Sequence, residues 1–172
     1  LGPTGTGGMV MTNDFAKKLN PFITGGTGSQ SDHEVHPTLM PDKLEAGTPN
    51  IVGLVGLLAA IDYLEEQSLK KTFETESQIG QYFYEKLKTI PGIKIIGSCD
   101  YKNKPPVFSI DFSPKDNAEI SYLLSSVYNI DNRTGMHCAP RAHKTYHTYP
   151  QGTVRLSLSA FTTREEVAYV VE

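Results

Sequence analysis

The sequence predicts a mixed fold in which an α/β part is joined to a smaller α+β part. Two long segments before residue 90 carry apolar residues at helical spacing. After Pro91-Gly92 the pattern changes to short β-type segments that alternate with helical ones. Two strands, a helix, two more strands and a last helix are typical of a small α+β layer. Because 38% of the 172 residues are hydrophobic, the chain can bury a core.

The start of the chain predicts a turn and a strand, and residues 20–50 predict an irregular stretch that leads into a helix. The glycine-rich start favours a tight turn that feeds a buried strand at residues 9–11. Residues 20–50 are rich in Gly, Ser, Pro and Asp, and an irregular stretch of this length is typical of a functional loop. Thr48 followed by Pro49 then predicts the N-cap and first turn of a helix with an apolar face.

The remaining elements follow from apolar periodicity and turn signals. A second helix is predicted over residues 70–88, and Pro91-Gly92 ends it. Strands are predicted at residues 93–97, 107–112, 129–133 and 153–158, with helices after Asp116 and from Thr163. The last helix begins with the Thr-x-x-Glu pattern of a capping box. We place the domain boundary between residues 68 and 69.

Composition and charge argue against several functional classes. A net charge of −3 gives no electrostatic case for binding nucleic acid or an anionic membrane. The longest apolar run, near residues 51–61, is well short of the roughly 18 residues that a membrane span needs. The two cysteines suit a reducing cytosol, so we expect a cytoplasmic protein. The chain starts with Leu-Gly-Pro and ends within an apparent helix, and we expect both ends to be cuts through a larger protein.

The segment from Arg133 to Pro140 carries the strongest chemical signal. It sets Cys138 in a polar, glycine-containing loop, beside a histidine and five residues after an arginine. A thiol acts as a nucleophile only as the thiolate, which nearby cations and an exposed loop favour. A half-buried core cysteine is the alternative on spacing alone. Cys99 precedes a carboxylate at a predicted strand exit, and we interpret it as structural.

A second arginine lies in the predicted strand at residues 153–158. Arg155 stands between two apolar residues in a segment that alternates. Its planar fork suits bidentate capture of a carboxylate, although an exposed surface position is the ordinary alternative.

The histidines and the glycine run do not predict further sites. His33 and His36 are three residues apart, and three more histidines lie near the second cysteine. Zinc needs four well-placed ligands, and the sequence has no helix or Cys-x-x-Cys pair that would position these histidines. We expect no metal, and we expect His143 and His147 to lie in a loop. The Gly25-Gly26-Thr27-Gly28 run lacks the spacing of a nucleotide-binding motif.

Three segments of the chain match the pattern of one family. They are Glu45-Ala46-Gly47-Thr48-Pro49-Asn50, Arg133-Thr134-Gly135-Met136-His137-Cys138-Ala139 and Gly152-Thr153-Val154-Arg155-Leu156-Ser157. Together they resemble the NifS/SufS-like cysteine desulfurases of the class V aminotransferase family, although Pro140 comes one residue earlier than in the family's pattern. The resemblance covers nearly the whole chain.

The resemblance implies the C-terminal part of a fold-type I transferase that depends on pyridoxal 5'-phosphate (PLP). Residues 1–68 would then be the end of the large PLP-binding domain with an interface helix. Residues 69–172 would be the small α+β domain that carries the cysteine loop. That loop, from Thr134 to Pro150, is expected to be mobile.

The resemblance also implies roles for individual residues. Cys138 would attack the sulfur of the bound cysteine and hold it as a persulfide. Arg155 would bind the α-carboxylate of the substrate, and Arg133 would bind substrate or brace the cysteine loop. Thr48 would reach the PLP phosphate of a neighbouring subunit.

The cofactor site itself is only partly contained in this sequence. Gly26 and Thr27 would lie in a flexible loop at the cofactor pocket. The lysine that the family uses for the Schiff base would fall a few residues before Leu1, and its aspartate and histidine farther upstream. We therefore expect the chain to be inactive alone.

The expected activity of the parent protein is release of sulfur from L-cysteine with L-alanine as the other product. The resemblance implies a homodimer that delivers persulfide sulfur to an acceptor protein, as in iron–sulfur cluster assembly. A selenocysteine lyase or another class V enzyme is the enzymatic alternative, and a non-catalytic binding or assembly module is the second.

Overall fold

Helices form most of the regular structure before residue 90, and one sheet organises the residues after it. The computed structural model describes residues 2–30 and 32–172. It divides into two units, Leu1–Glu66 and Gln67–Glu172. The assignment of these units to a large and a small domain stays a prediction.

In residues 2–30 and 32–66, the described part of the first unit, there are two helices and a 3₁₀ turn. Helix α1 spans Asn13–Lys18, the 3₁₀ turn spans Asp42–Leu44, and helix α2 spans Ile51–Gln67. Thr12 caps α1, because its side chain accepts a hydrogen bond from the Phe15 N–H at 3.3 Å.

Two predictions for the first unit are wrong. No strand lies in its described residues, so residues 9–11 have no ladder to join, and Met9 and Val10 are exposed. The side chain that caps α2 is Asn50, whose Oδ1 accepts from the Gly53 N–H at 3.0 Å. Thr48 lies three residues before Ile51, where the helix begins. Asparagine is as good a cap as threonine, so the position of the first turn decided between them.

The second unit is a four-stranded antiparallel sheet with four helices. In chain order its elements are α3 (Leu69–Leu87), β1 (Lys94–Ile96), β2 (Val107–Asp111), α4 (Asn117–Ser126), β3 (Arg133–Gly135), α5 (Pro140–Thr145), β4 (Thr153–Ser157) and α6 (Arg164–Val171). The strand order is β1-β2-β4-β3, and every neighbouring pair is antiparallel. The short strand β3 therefore forms one edge of the sheet.

The core of the second unit lies against one face of this sheet. Phe108 of β2 is fully buried, and its ring meets Phe83 of α3 edge-on at 4.7 Å and stacks on Tyr101 at 4.3 Å. Val154 and Leu156 of β4 are buried on this face as well. Since side chains alternate along a strand, residues 153, 155 and 157 face the other side.

In the second unit one strand is displaced from its predicted position and helix α5 was not predicted; helix α1 of the first unit was not predicted either. The strand expected at residues 129–133 begins only at Arg133. The Asn132 amide instead donates to the Ser121 and Ile130 carbonyls at 3.2 and 3.0 Å, and so binds the chain to α4. Helix α5 replaces part of the expected loop. The predicted capping box at Thr163 and Glu166 is present.

The described residues contain no helix with both the length and the apolar character that crossing a bilayer demands.

Candidate active site

Cys138 lies at the surface in a tight turn between β3 and α5. Its thiol is exposed, and in the described part of the chain it makes no hydrogen bond. His137 and Cys138 both adopt left-handed backbone conformations, with φ of 47° and 59°. Residues other than glycine and asparagine rarely adopt them, and such strained positions often mark functional sites. The Ala139 N–H closes the turn on the Met136 carbonyl at 2.8 Å.

The two predicted arginines stand directly opposite each other on neighbouring strands. Arg133 of β3 pairs with Arg155 of β4 in the antiparallel register, so both side chains leave the same face of the sheet. Like charges in this arrangement repel each other. Across residues 2–30 and 32–172, neither guanidinium forms a salt bridge with a carboxylate. The structure thus brings together two cations without a counter-charge.

Arg155 also has an unused hydrogen-bond donor. Its Nε is buried and has no partner, and the same is true of the hydroxyl of Thr153 on the same strand face. Buried hydrogen-bond donors in proteins are normally satisfied. An unpartnered Nε on one of two opposed arginines is therefore suited to bind an anion.

His137 completes this group of polar side chains. Its Nε2 lies 3.1 Å from the Arg133 carbonyl, so Nε2 carries the proton and donates. Burial lowers the pKa of His137, and electrostatic interactions with Arg155, His143 and Arg133 lower it further, although the bond to the carbonyl acts in the opposite direction. A neutral His137 leaves its Nδ1 as a free proton acceptor in the residue next to Cys138.

The expected loop between Thr134 and Pro150 is not irregular throughout. It contains helix α5, and His143 is a buried residue of that helix, contrary to the predicted loop position. Its Nδ1 lies 2.7 Å from the hydroxyl of Thr148, which is also buried. The polar sequence gave no periodic signal for this helix, because six residues make too short a segment. The mobility of the loop stays a prediction.

Two glycines hold the strand ends together behind the cysteine turn. A Cβ on Gly152 would overlap the carbonyl of Gly135, so the two backbones approach as closely as only glycine allows. The Gly152 carbonyl accepts from the amide of Asn117, a fully buried residue, at 3.0 Å. The same amide donates to Asp111 at 3.1 Å. Asn117 was not predicted as part of the site, since its only signal in the sequence is its position one residue after a helix cap.

Asp111 is a charged member of this buried network. Burial acts to raise its pKa, but hydrogen bonds from Ser113 and Asn117 outweigh burial and hold the pKa below its ordinary value. Asp111 therefore stays ionised and keeps its acceptor role for the Asn117 amide. The network fixes the entry of β4, two residues before Arg155.

The three predicted cofactor residues lie together in the first unit. The Gly47 N–H donates to the Gly26 carbonyl at 2.7 Å, which sets the loop of Gly26 and Thr27 beside Thr48. Gly26 and Thr27 line a cavity of 710 Å³. Thr48 is exposed shortly before the first turn of α2, and helix N-termini favour phosphate.

His36 is a further candidate in this cavity that sequence reasoning did not assign. Its Nε2 donates to the Lys43 carbonyl at 3.1 Å, and its Nδ1 is buried without a partner. Lys43 itself is buried, and its ammonium donates to the carbonyls of Ala16 and Lys17 at 3.0 and 3.4 Å. These bonds fix the position of His36 relative to α1.

The remaining candidate residues contribute no further site. Cys99 packs against the core, and its hydrogen bond to Tyr84 is the first cause that raises the pKa of that phenol. The interpretation of Cys99 as a structural residue stays a prediction. Within the ranges 2–30 and 32–172, no three His, Cys, Asp or Glu side chains are arranged to hold a metal ion.

Comparison with known proteins identifies the family. The family model described as Aminotransferase class-V matches residues 1–170. A probable cysteine desulfurase of Methanothermobacter thermautotrophicus is 31% identical over 176 residues, which cover 100% of this chain and 43% of that relative. A cysteine desulfurase of Escherichia coli O157:H7 is also 31% identical, with 99% of this chain and 41% of that relative covered. The chain thus spans about two fifths of these proteins.

Solved structures give the same fold. The apo cysteine desulfurase of Thermococcus onnurineus superimposes with a TM-score of 0.70 at 30% identity, over 76% of this chain and 32% of that one. The predicted fold class, part of a fold-type I PLP-dependent transferase, is confirmed. The chain belongs to the class V aminotransferase family.

Proposed function

We propose that the full-length parent of this chain is a PLP-dependent cysteine desulfurase that stores sulfur as a persulfide on Cys138. The observation that carries this proposal is the opposed pair Arg133 and Arg155 on β3 and β4. Within residues 2–30 and 32–172 no carboxylate forms a salt bridge with this pair, and β3 leads directly to an exposed cysteine. A plain aminotransferase needs the carboxylate site but no thiol. The similarity to proteins named cysteine desulfurase supports the same function.

The arginine pair binds the α-carboxylate of L-cysteine. Arg155 offers the partly buried fork with its unpartnered Nε, and a charge-assisted hydrogen bond of this kind contributes about 1.5–3 kcal/mol. Arg133 is more exposed and adds the second positive charge. Binding of the carboxylate also removes the repulsion between the two guanidinium groups.

Cys138 accepts the substrate's sulfur. The carbon–sulfur bond of L-cysteine breaks, a sulfur–sulfur bond to Cys138 forms, and the proton lost by the Cys138 thiol is balanced by the proton gained at the carbon that becomes the methyl group of L-alanine. No external oxidant or reductant is needed. His137 is the proton acceptor beside the thiol. The lowered pKa of its ring favours the neutral form, in which Nδ1 can accept a proton.

Residues of the first unit hold the phosphate of the cofactor. The donors in this part of the chain fit a phosphate: the Thr48 hydroxyl near the N-terminus of α2, and the Thr27 hydroxyl with the open backbone at Gly26 in the adjoining loop. When bound, PLP would supply an electron sink that assists cleavage of the carbon–sulfur bond of L-cysteine. By resemblance, Thr48 serves the site of a neighbouring subunit in a homodimer.

The parent delivers its sulfur to an acceptor protein in the cytoplasm, for example in iron–sulfur cluster assembly. Exposure of Cys138 supports this step, since a persulfide must reach its acceptor. We further propose that the Schiff-base lysine lies outside the 172 residues and that this chain alone does not turn over L-cysteine.

The experiment replaces each cysteine in the full-length parent. We expect Cys138→Ala to abolish the sulfur adduct that mass spectrometry finds after addition of L-cysteine, and to abolish alanine production, while the protein still binds PLP. Cys99→Ala is the matched control and keeps both. A persulfide on Cys99, or undiminished alanine production without Cys138, would refute the proposal.

A further inference from the structure

The segment that carries Cys138 is anchored at both ends, and only four residues lie between the anchors. On one side, Thr134 and Gly135 of β3 pair with Val154 and Thr153 of β4. On the other side, helix α5 begins at Pro140. The intervening residues 136–139 contain no glycine, and two of them adopt left-handed backbone conformations.

The anchor on the α5 side is a short chain of hydrogen bonds that ends at β4. His143 of α5 is 8% exposed, and its Nδ1 meets the Thr148 hydroxyl at 2.7 Å. The Thr148 N–H donates to the His143 carbonyl at 2.9 Å, and the Gly152 N–H donates to the Thr148 carbonyl at 2.7 Å. Gly152 is the residue directly before β4. The chain of bonds therefore joins the helix that follows Cys138 to the strand that carries Arg155.

Helix α5 has little else to stabilise it. With six residues it is far below the length at which a helix is stable by itself, and its N-cap residue Ala139 makes no side-chain hydrogen bond. Within α5, His143 is the buried residue. The bond between the His143 ring and the Thr148 hydroxyl is thus the main side-chain hydrogen bond that holds the helix. Without it the buried His143 Nδ1 would lose this partner, and the Thr148 hydroxyl would keep only a longer bond to the His143 carbonyl at 3.5 Å.

We propose that His143 and Thr148 are positioning residues that anchor α5, so that Cys138 moves on a tether limited to residues 136–139. Four residues span at most about 14 Å when fully extended, which bounds the movement of the thiol. The thiol therefore stays within this reach of the end of β3, whose Arg133 lies opposite Arg155, and an acceptor must come to the surface beside residues 136–139 to receive sulfur. This inference rests on the proposed role of Cys138 as the sulfur carrier.

The test compares two pairs of variants in the full-length protein. Thr148→Val removes the hydroxyl at nearly constant shape, whereas Thr148→Ser keeps it. His143→Gln moves the polar atom away from the Nδ1 position, whereas His143→Asn leaves a polar atom near it. Amide hydrogen exchange is measured in α5 and, as a reference for global folding, in β2 and β4.

We expect Thr148→Val and His143→Gln to accelerate exchange in residues 140–148 at least tenfold and to leave β2 and β4 unchanged. We also expect kcat for alanine formation to fall about tenfold with KM for L-cysteine within twofold of the parent value, because Arg155 is intact. Thr148→Ser and His143→Asn should keep the exchange rate in residues 140–148 and kcat close to the parent values. A variant that fails to fold is identified by faster exchange in β2 and β4. The other pair of variants then tests the positioning role.

Unchanged exchange in α5, or unchanged kcat despite faster exchange, would overturn the positioning role. A fall in kcat that the serine and asparagine variants do not reverse would also overturn it, since shape rather than the hydrogen bond would then be the cause. These outcomes are distinct from failure of the proposed function, which the Cys138→Ala variant reports independently.

Discussion

Arg133 and Arg155 form a candidate carboxylate site because of the register of their strands as much as because of their charge. In the sequence they are 22 residues apart, and each has its own alternative: an exposed surface position for Arg155 and a brace for the cysteine loop for Arg133. The antiparallel register of β3 and β4 places them side by side on the polar face of the sheet. An unpaired cation pair is unfavourable in the free protein, so a bound carboxylate both gains hydrogen bonds and relieves repulsion.

Replacement of Arg155 should therefore act mainly on substrate binding. In the full-length protein, Arg155→Ala is expected to raise KM for L-cysteine by about 10- to 100-fold, the equivalent of about 1.5–3 kcal/mol. Arg155→Lys keeps the charge but loses the fork, and should give an intermediate effect. Arg164→Ala, which removes a charge from α6 near Tyr82, is the control. Steady-state kinetics measure the effect, and an unchanged KM in Arg155→Ala would remove this residue from the site.

At the scale of elements, the site depends on how tightly the ends of β3 and β4 approach. Gly135 precedes the cysteine turn and Gly152 precedes β4, and their backbones touch. The buried amide of Asn117 then ties Gly152 to α4 and to the end of β2. Three elements thus converge on one glycine, so a local change there reaches both Cys138 and Arg155.

A side chain at Gly152 should be strongly destabilising. Gly152 has φ of 77°, and a Cβ would in addition overlap the Gly135 carbonyl. We expect Gly152→Ala to lower the free energy of unfolding by more than about 2 kcal/mol. Gly92→Ala is the matched control, because Gly92 has φ of 81° but no atom within 4 Å of its Cβ position. It should cost only about 1 kcal/mol.

Urea denaturation of the full-length variants measures both changes. Equal losses for Gly152→Ala and Gly92→Ala would mean that the close approach of the two strand ends contributes nothing to stability beyond the backbone conformation.

At the scale of the whole molecule, the candidate residues divide between the two units. Gly26, Thr27 and Thr48 belong to Leu1–Glu66, whereas Arg133, Cys138 and Arg155 belong to Gln67–Glu172. In the proposed function, the first unit would supply the phosphate site, and the second would supply the carboxylate site and the thiol. The proposed reaction needs both, together with a Schiff-base lysine that we propose lies outside these 172 residues.

The 172-residue chain alone is therefore expected to lack catalytic activity. After incubation with PLP and removal of free cofactor, it should not show the visible absorbance of a stoichiometric lysine-bound cofactor, and L-cysteine should yield no alanine. The full-length parent, treated in the same way, is the positive control for absorption spectroscopy and the alanine assay. Stoichiometric PLP with turnover in the isolated chain would show that the required lysine lies within these 172 residues.

The sequence predicted the long elements well because each has a strong local signal. The apolar faces of α2 and α3, the alternation in β2 and β4 and the capping box of α6 are encoded within a few neighbouring residues. The cysteine motif and the two other matched segments likewise sufficed to identify the family, and the family model confirms it.

Short or long-range features were wrong or missed for physical reasons. Asn132 binds α4 instead of extending a strand, and α5 depends on the bond between His143 and Thr148. Such interactions outweigh the weak propensities of a few residues, and no local pattern reveals them.

The sequence by itself determined the family, the principal helices and strands, and which side chains carry reactive groups. Only the tertiary structure decided which of these groups meet. The opposition of Arg133 and Arg155 and the contact of Gly135 with Gly152 join residues that are distant along the chain, and the burial of His143 depends on the packing of the folded unit. Sheet register and side-chain packing set these distances, because they arise from the lowest free energy of the whole unit rather than from any one segment.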